Sequence, residues 1–450
     1  MTPAFDGRRV VVAGIAVSGV AAAEALLDRG ATVLVVDGRD SERERAAADQ
    51  LRTRGAEIRL GDAESHVDAD LIVASPGWRP DQPMLAAAAG GGIDVIGEPE
   101  LAWRLRDPEV PWVGVTGTNG KTTTVGMLEE IFRADGRRTV AAGNVGLPLV
   151  TAVARGGYDV LAVEISSQQL AWSPSIRFAA AAILNIAADH LDWHDTVTAY
   201  RDAKARIWAE AVAIGNADDP VVAGILPRDG RTFSLVDPTA SYLARDGFLV
   251  ETTGAGPLMR IDELQVVGPH NAANALAAAA LARAVDVSVE AVRTGLGEFR
   301  PGSHRNVVVG ESNGVTYVDD SKATNPHAVA ASLASYPSVI WIAGGLLKGV
   351  DVDPVVAAHA HRLRGVVLLG QDRRAIAEAL ARHAPQIPVV EVAATDTGAM
   401  SEAVRAAAAL AAPGDVVLLA PAGASWDMFR DYADRGDRFA AAFRAEVAAE

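Results

Sequence analysis

The chain has 450 residues, half of them hydrophobic, a formal net charge of −16 and no cysteine. That length exceeds what one core organises and predicts about three domains. The acidic balance excludes a nucleic-acid partner held through its backbone, and the missing thiols exclude disulfides, thiolate metal sites and cysteine nucleophiles. No signal-peptide core opens the sequence and no apolar run reaches the roughly 18 residues of a membrane span, so a soluble cytoplasmic protein without a membrane partner is expected.

From residue 1 to about 107, short β-branched runs (Val10–Val12, Thr32–Asp37, Asp70–Ser75, Asp94–Gly97) alternate with helical stretches, the pattern of a parallel sheet. The first turn, Gly14-Ile-Ala-Val-Ser-Gly19, has the spacing of a dinucleotide-binding turn with Ala16 in place of the middle glycine. Asp37 ends the second strand, where a ribose-binding acid would sit. The added methyl weakens an NAD reading and favours some other diphosphate. Ser18 and Ser75 stand at strand ends where they can donate to it, although Ser75, in Ser75-Pro-Gly77, reads equally well as a turn residue.

Pro108 to Pro111 reads as a linker into a second domain running to about 299. Its first strand leads into Gly117-Thr-Asn-Gly120 and a helix from Lys121, the geometry of a phosphate cradle. Lys121 would reach the β and γ phosphates and the Thr122 hydroxyl would bind Mg²⁺. The common G-x-x-x-x-G-K-[ST] pattern fails by one position, because Val115 stands where its first glycine belongs. Later strands end at Asn144, Glu164 and His190, and carboxyl ends of parallel strands face the ligand. Glu164 lies in an apolar strand, where a divalent cation is the natural partner of a carboxylate. A lone histidine is more often a surface residue than a ligand; the strand-end position beside Asp189 favours His190. Lys204 shares a helical face with Tyr200, Ile207 and Trp208 and by pattern alone is a snorkelling lysine at the rim of an apolar face. Residues 231 to 267 read as a β-rich insertion without assigned chemistry. Asn271 and Asn274 then open a helix, where capping explains only one of them and adenine or ribose contacts suit the other.

From about 300 the strand–helix alternation returns (Val315–Asp319, Val339–Ala343, Val366–Leu369, Val389–Val392, Val416–Leu419). Arg305, Lys322 and Lys348, at loops following strands or just before them, can neutralise a small acidic substrate, with Thr324 and Ser425 orienting it.

Thr116-Gly-Thr-Asn-Gly-Lys-Thr122 resembles the ATP loop of the Mur and folylpolyglutamate ligases. With His304-Arg305, Asp319-Asp-Ser-Lys-Ala-Thr-Asn325 and Ser75-Pro-Gly77, the chain from Gly14 to Phe429 resembles a D-glutamate-adding Mur ligase. The resemblance implies an α/β fold of three domains: 1–107, Rossmann-like and UDP-binding; 108–299, a P-loop-type ATPase with a parallel sheet and a small β-rich part; 300–450, Rossmann-like and amino-acid-binding. It implies ATP-driven amide formation between UDP-N-acetylmuramoyl-L-alanine and D-glutamate, through an acyl phosphate, by a monomer in peptidoglycan precursor synthesis. It places Gly14, Ser18, Gly19, Asp37, Arg39, Ser75 and Asn144 on the UDP-linked substrate, Asn144 at its muramoyl part. Gly117, Thr118, Asn119, Gly120, Lys121, Thr122, Thr123, Asn271, Asn274, Arg305 and Asp320 fall on ATP. Thr122, Glu164, His190 and Lys204, the last as a carbamate, fall on two Mg²⁺ ions, and Lys121, Glu164, His190 and Lys204 carry the chemistry. Lys322, Thr324, Lys348, Ser425 and Phe429 fall on D-glutamate. The alternative is a ligase of the same kind with another amino-acid acceptor. Two departures stand out: Gly344-Gly-Leu-Leu-Lys348 lacks the acid usual in that turn, and Gly423 stands where a cysteine is common.

Overall fold

Four consecutive buried residues, Val10 to Ala13, complete strand β1 (Arg9–Ala13); a strand buried on both faces belongs inside a helix-covered parallel sheet. β1 is the middle of five parallel strands with β2 (Thr32–Asp37), β3 (Glu57–Leu60), β4 (Leu71–Ala74) and β5 (Asp94–Gly97), in the order β3-β2-β1-β4-β5. The direction of winding reverses between β1 and β4, which opens a crevice beyond their carboxyl ends. The edge strand β3 was not expected: its Glu-Ile-Arg-Leu is partly exposed and too polar to stand out.

The computed structural model describes residues 5–64, 66–394, 396 and 398–448. They form two compact units, Met1–Glu263 with Ala273–Phe299, and Leu264–Ala272 with Arg300–Glu450.

The first unit holds a second sheet, of nine strands: β6 (Trp112–Thr116), β7 (Ala141–Gly143), β8 (Leu161–Glu164), β9 (Ala180–Ile183), β10 (Val212–Asn216), β11 (Arg231–Ser234), β12 (Tyr242–Arg245), β13 (Phe248–Glu251) and β14 (Gly256–Arg260). Their order is β14-β13-β12-β11-β10-β9-β6-β8-β7, parallel except for the β12-β13-β14 meander. The β-rich stretch after 231 is therefore a continuation of the main sheet. Its hairpin turns at Asp246-Gly247, both left-handed (φ 53° and 77°), as a two-residue turn between twisted strands requires.

The second unit has six strands, β15 (Val307–Ser312), β16 (Val315–Asp319), β17 (Val339–Gly344), β18 (Leu363–Leu369), β19 (Val389–Glu391) and β20 (Val416–Ala422), ordered β15-β16-β20-β17-β18-β19. Only β15, which the sequence reading missed, runs antiparallel; it joins β16 through Asn313-Gly314 (φ 52° and 73°).

Within the first unit the two sheets share one apolar core, in which Val12, Leu26, Ile96 and Leu101 cluster with Trp112, Val150 and Val163. Two buried acids on the helix Glu98–Leu105 add a polar seam. Glu100 accepts from the backbone N–H of Ser175 at 3.1 Å and from its hydroxyl. Glu98 Oε1 accepts the N–H of Val150 at 2.6 Å, so it caps a helix, Leu149–Arg155, whose own N-cap position is a proline. Burial pushes the Glu98 carboxyl from 4.5 up to about 7, opposed by the helix amides it accepts.

The native state thus holds this proton more tightly than the unfolded chain, so the contribution is fully present below about pH 4.5 and is lost as pH rises through about 7. Glu98→Gln cannot ionise. Its melting temperature relative to wild type is expected to rise between about pH 5 and about pH 8 and to level off above; a difference independent of pH would place the cost elsewhere.

Candidate active site

At the end of β6 the chain must turn into the helix Lys121–Ala134, and Gly120 does so in left-handed backbone, φ 85°. A Cβ there would lie 2.5 Å from Asn274 Oδ1, so glycine is demanded twice over. The loop is held open by Asn185, just after β9. The carbonyl of Asn185 accepts from Thr118 N at 2.9 Å, its Oδ1 accepts from Asn119 N at 2.8 Å, and its Nδ2 donates to Asn119 O at 3.1 Å. The amides of Thr118 and Asn119, expected to face a phosphate, instead shape the loop. The first-turn amides behind Lys121, Thr122 and Thr123 have no acceptor within an α-helix and carry the positive end of its dipole. Lys121 folds across its own loop, donating to Gly117 O at 2.7 Å and Thr118 O at 2.9 Å.

Lys204 does not snorkel. It is 1% exposed and points inward from the helix Val197–Ala205, donating to Gly117 O at 2.9 Å and lying 3.4 Å from Thr116 Oγ1. Burial first, and Lys121 second, drive its ammonium well below the ordinary lysine range, against the attraction of Asp189 and Glu164. Tyr200 lies beneath it, 4.6 Å from ring centre to Nζ, with its hydroxyl 3.0 Å from Thr118 Oγ1. Neither Asn185 nor Tyr200 was foreseen as a site residue.

Glu164 closes β8 at 2% exposure. Oε1 accepts from Asn144 Nδ2 at 2.8 Å, while Oε2 is buried with no hydrogen-bond partner. A buried carboxylate oxygen left in this way is costly, and a divalent cation is a fitting occupant. His190 is partly exposed in left-handed backbone, φ 51°, its Nε2 3.8 Å from Asp189. Burial lowers its pKa, Asp189 opposes this, and Lys121 and Lys204 lower it further, which keeps the imidazole neutral and able to ligate. Thr122 and Thr123 are half-buried on the first helical turn. Among the described residues no three His, Cys, Asp or Glu gather as a metal cluster, so a cation here would draw its remaining ligands from hydroxyls, a modified Lys204 or a phosphate.

In the first sheet, Gly14 (φ 103°) and Gly19 pack so closely that a Cβ on Gly19 would sit 1.8 Å from Gly14 O. Asp37 is buried, with Oδ2 accepting Ile15 N at 3.0 Å and Oδ1 accepting Arg39 N at 2.9 Å; it braces the turn. Ser75 Oγ lies against Gly14 O at 3.5 Å. Ser18 is half-exposed in the first turn of the helix Val17–Leu27. Beside it opens a cavity of about 500 Å³ lined by Ile15, Ala16, Val17, Arg39, Arg43 and Pro148.

The second unit has its own polar centre. Asp320 accepts the Ser332 hydroxyl and Asn306 N at 3.2 Å, and burial pushes it up to about 6 despite Arg305 nearby. Asn271 Nδ2 donates to Val267 O at 2.7 Å. Lys322 lies 3.7 Å from the Tyr432 ring centre and Lys348, in left-handed backbone, 4.8 Å from that of Trp426. Thr324 is half-buried and Ser425 buried. The ring of Phe429 belongs to an apolar cluster with Val417 and Leu419, and the rings of Tyr432 and Trp426 face Lys322 and Lys348. The turn without an acid is braced from outside, Asp372 Oδ2 accepting Leu347 N at 2.8 Å. Gly423 has no room for a cysteine, since a Cβ would lie 2.9 Å from backbone atoms of Gly345 and Leu346.

Gly120→Ala is expected to weaken ATP binding by at least about tenfold, about 1.4 kcal/mol, by calorimetry. Gly136→Ala, with a similar φ of 78° and nothing within 4 Å, should leave binding unchanged and cost stability alone.

Three domain families match in succession: Mur ligase MurD-like, N-terminal domain, over residues 8–97; Mur ligase middle domain, over 115–282; and Mur ligase, glutamate ligase domain, over 304–423. The UDP-N-acetylmuramoylalanine–D-glutamate ligase of Thermobifida fusca is 54% identical over 98% of both chains, and that of Mycolicibacterium smegmatis 46% identical over 99% of this chain and 98% of its own. Among solved structures, the UDP-N-acetylmuramate-alanine ligase MurC of Thermotoga maritima superposes with a TM-score of 0.62 at 18% identity, covering 97% of this chain and 99% of that one. A pseudomurein peptide ligase type C from Methanothermus fervidus gives 0.61 at 19%, with the same coverage. Those two likenesses speak to fold, and the high identities to kinship. The chain belongs to the Mur ligases, in the family of the UDP-N-acetylmuramoylalanine–D-glutamate ligases.

Proposed function

We propose that this enzyme joins the amine of D-glutamate to the alanyl carboxylate of UDP-N-acetylmuramoyl-L-alanine, driven by ATP. The observation that carries the reading is the pair of lysines, Lys121 and Lys204, that both donate to Gly117 O in a loop of phosphate-binding shape.

A carboxylate approaching a γ-phosphate meets like charge, worth about 4 kcal/mol per pair at 4 Å and an effective dielectric near 20. Lys121 and the first-turn amides at Thr122 and Thr123 offset that repulsion and let the carboxylate oxygen attack phosphorus in line. The acyl phosphate so formed has a good leaving group. The neutral amine of glutamate attacks its carbonyl carbon, and the tetrahedral intermediate expels phosphate. Two Mg²⁺ ions, when bound, supply further charge neutralisation on the phosphates; Thr122, Glu164 and His190 would hold them together with Lys204. Lys204 joins this set as a carbamate: its neutral Nζ bonds the carbon of CO₂, loses a proton to solvent and becomes an anion. Burial beside a second cation disfavours the ammonium form, which is the condition that reaction needs.

Gly14, Ser18, Gly19, Asp37, Arg39 and Ser75 would hold the uridine diphosphate, with the cavity at Arg39 and Arg43 taking its nucleoside end, and Asn144 the muramoyl part. Asn274, on the first unit beside Gly120, would read the adenosine end of ATP. Lys322 and Lys348 match the two carboxylates of glutamate, with Thr324, Ser425 and the rings of Tyr432 and Trp426 around them.

Phosphate release with UDP-N-acetylmuramoyl-L-alanine and ATP is expected with D-glutamate and not with L-glutamate, L-alanine or meso-diaminopimelate. Release with another acceptor alone would keep the phosphate chemistry and overturn the glutamate site. Lys204→Ala should cost about 100-fold or more in turnover, and a carbon-13 carbamate signal from labelled bicarbonate should vanish with it. Lys348→Ala should raise the KM for D-glutamate about tenfold, the size of one charge-assisted hydrogen bond, with the KM for ATP unmoved.

A further inference from the structure

The segment that carries His190 is strained at both ends. Its four-residue helix, Leu191–His194, is flanked by His190 and Asp195, both non-glycine residues in left-handed backbone (φ 51° and 62°). Such conformations persist only where the surroundings impose them, and here the surroundings come from three other places. His194 Nε2 lies 2.9 Å from the hydroxyl of Ser167, beyond the end of β8. Trp193 packs against the apolar cluster of the first sheet that includes Met84, Leu85 and Trp172. Arg79, two residues past the Ser75–Gly77 turn, closes over the far end.

The guanidinium of Arg79 is set by Asp81 in its own loop, Nε and Nη2 donating to the two carboxylate oxygens at 2.9 and 3.0 Å. Nη2 also donates to both oxygens of Asp195, at 2.9 and 3.2 Å, and Nη1 to the carbonyl of Asp192. That carbonyl is one a short helix leaves without an internal partner. A lone exposed ion pair does little. A planar fork that meets three acceptors at fixed angles instead defines an orientation, which a lysine cannot reproduce. The neighbouring Trp172 Nε1 donates to Trp78 O at 3.1 Å, so the loop bearing Arg79 is itself anchored.

We propose that Arg79 is a positioning residue for His190, holding from the first sheet the short helix that His190 begins. The loop expected to border the uridine nucleotide and the imidazole expected at the phosphates are then set by one side chain. The role in catalysis rests on the proposed ligase function; the geometric claim does not.

The test has two independent readouts on the full-length chain. In a carbon–proton spectrum of histidine-labelled protein, with the His190 signal assigned through His190→Gln, Arg79→Ala is expected to shift or broaden that signal and leave His304 in place. Asp195→Ala, which removes the partner without touching the first sheet, should move the same signal. An unmoved His190 signal in both variants overturns the proposal whether or not the chain is active. In the phosphate-release assay, Arg79→Ala should lower kcat about tenfold with the KM for D-glutamate unchanged, and guanidinium ion at low millimolar concentration should restore part of it, with Arg79→Lys recovering less. Full kcat in Arg79→Ala would also overturn it, whereas a wild-type chain that releases no phosphate would sink the ligase reading and leave the spectrum to decide the geometry.

Discussion

Two lysine nitrogens lean on one oxygen atom, the carbonyl of Gly117, and much of the first unit follows from making that tolerable. Cations are rarely buried without an anion. Here the loop carbonyls, the Thr116 hydroxyl and the face of Tyr200 give partial relief to Lys204, while Asn185 and the left-handed Gly120 fix the loop so that those carbonyls point inward. The relief is incomplete, as the displaced acidity of Lys204 records. A few residues away, Glu164 has the complementary defect, a buried oxygen with nothing donating to it. Two lysines on one carbonyl and an unsatisfied carboxylate oxygen at the end of the neighbouring strand are the electrostatic defects of this loop region.

The second unit solves a different electrostatic problem. Lys322 and Lys348 each lie on an aromatic face. A ring quadrupole attracts a cation and limits its wandering without neutralising it. The buried Arg435 is treated otherwise, fixed by Ser321 and the Gly423 carbonyl and lowered to about 10 by burial, which suits a strut.

The phosphate loop was legible because glycine spacing, a lysine and hydroxyls at a helix start are local. So were the parallel strands, whose apolar runs are short and bounded. What escaped depends on partners distant in the chain. Lys204 has the periodicity of a rim residue, and nothing in its helix reveals that the face is covered by the phosphate loop. Asn185 follows an apolar strand like any turn residue, and its clamp needs a loop 66 residues earlier. Phe429 and Tyr432 are three residues apart, and which ring faces the lysine is decided by packing under β20. The strand β15 was missed despite a fair signal, Asn313-Gly314 between two β-branched runs.

The first two sheets meet through a shared apolar core and through two acids whose donors, on Val150 and Ser175, lie across the seam. The residues before and after 107 thus belong to one compact unit. Evolution can exchange a module only where little is torn by cutting it out, and here a cut would uncap the helix at Leu149, strand Glu98 and Glu100 and lay bare half a core.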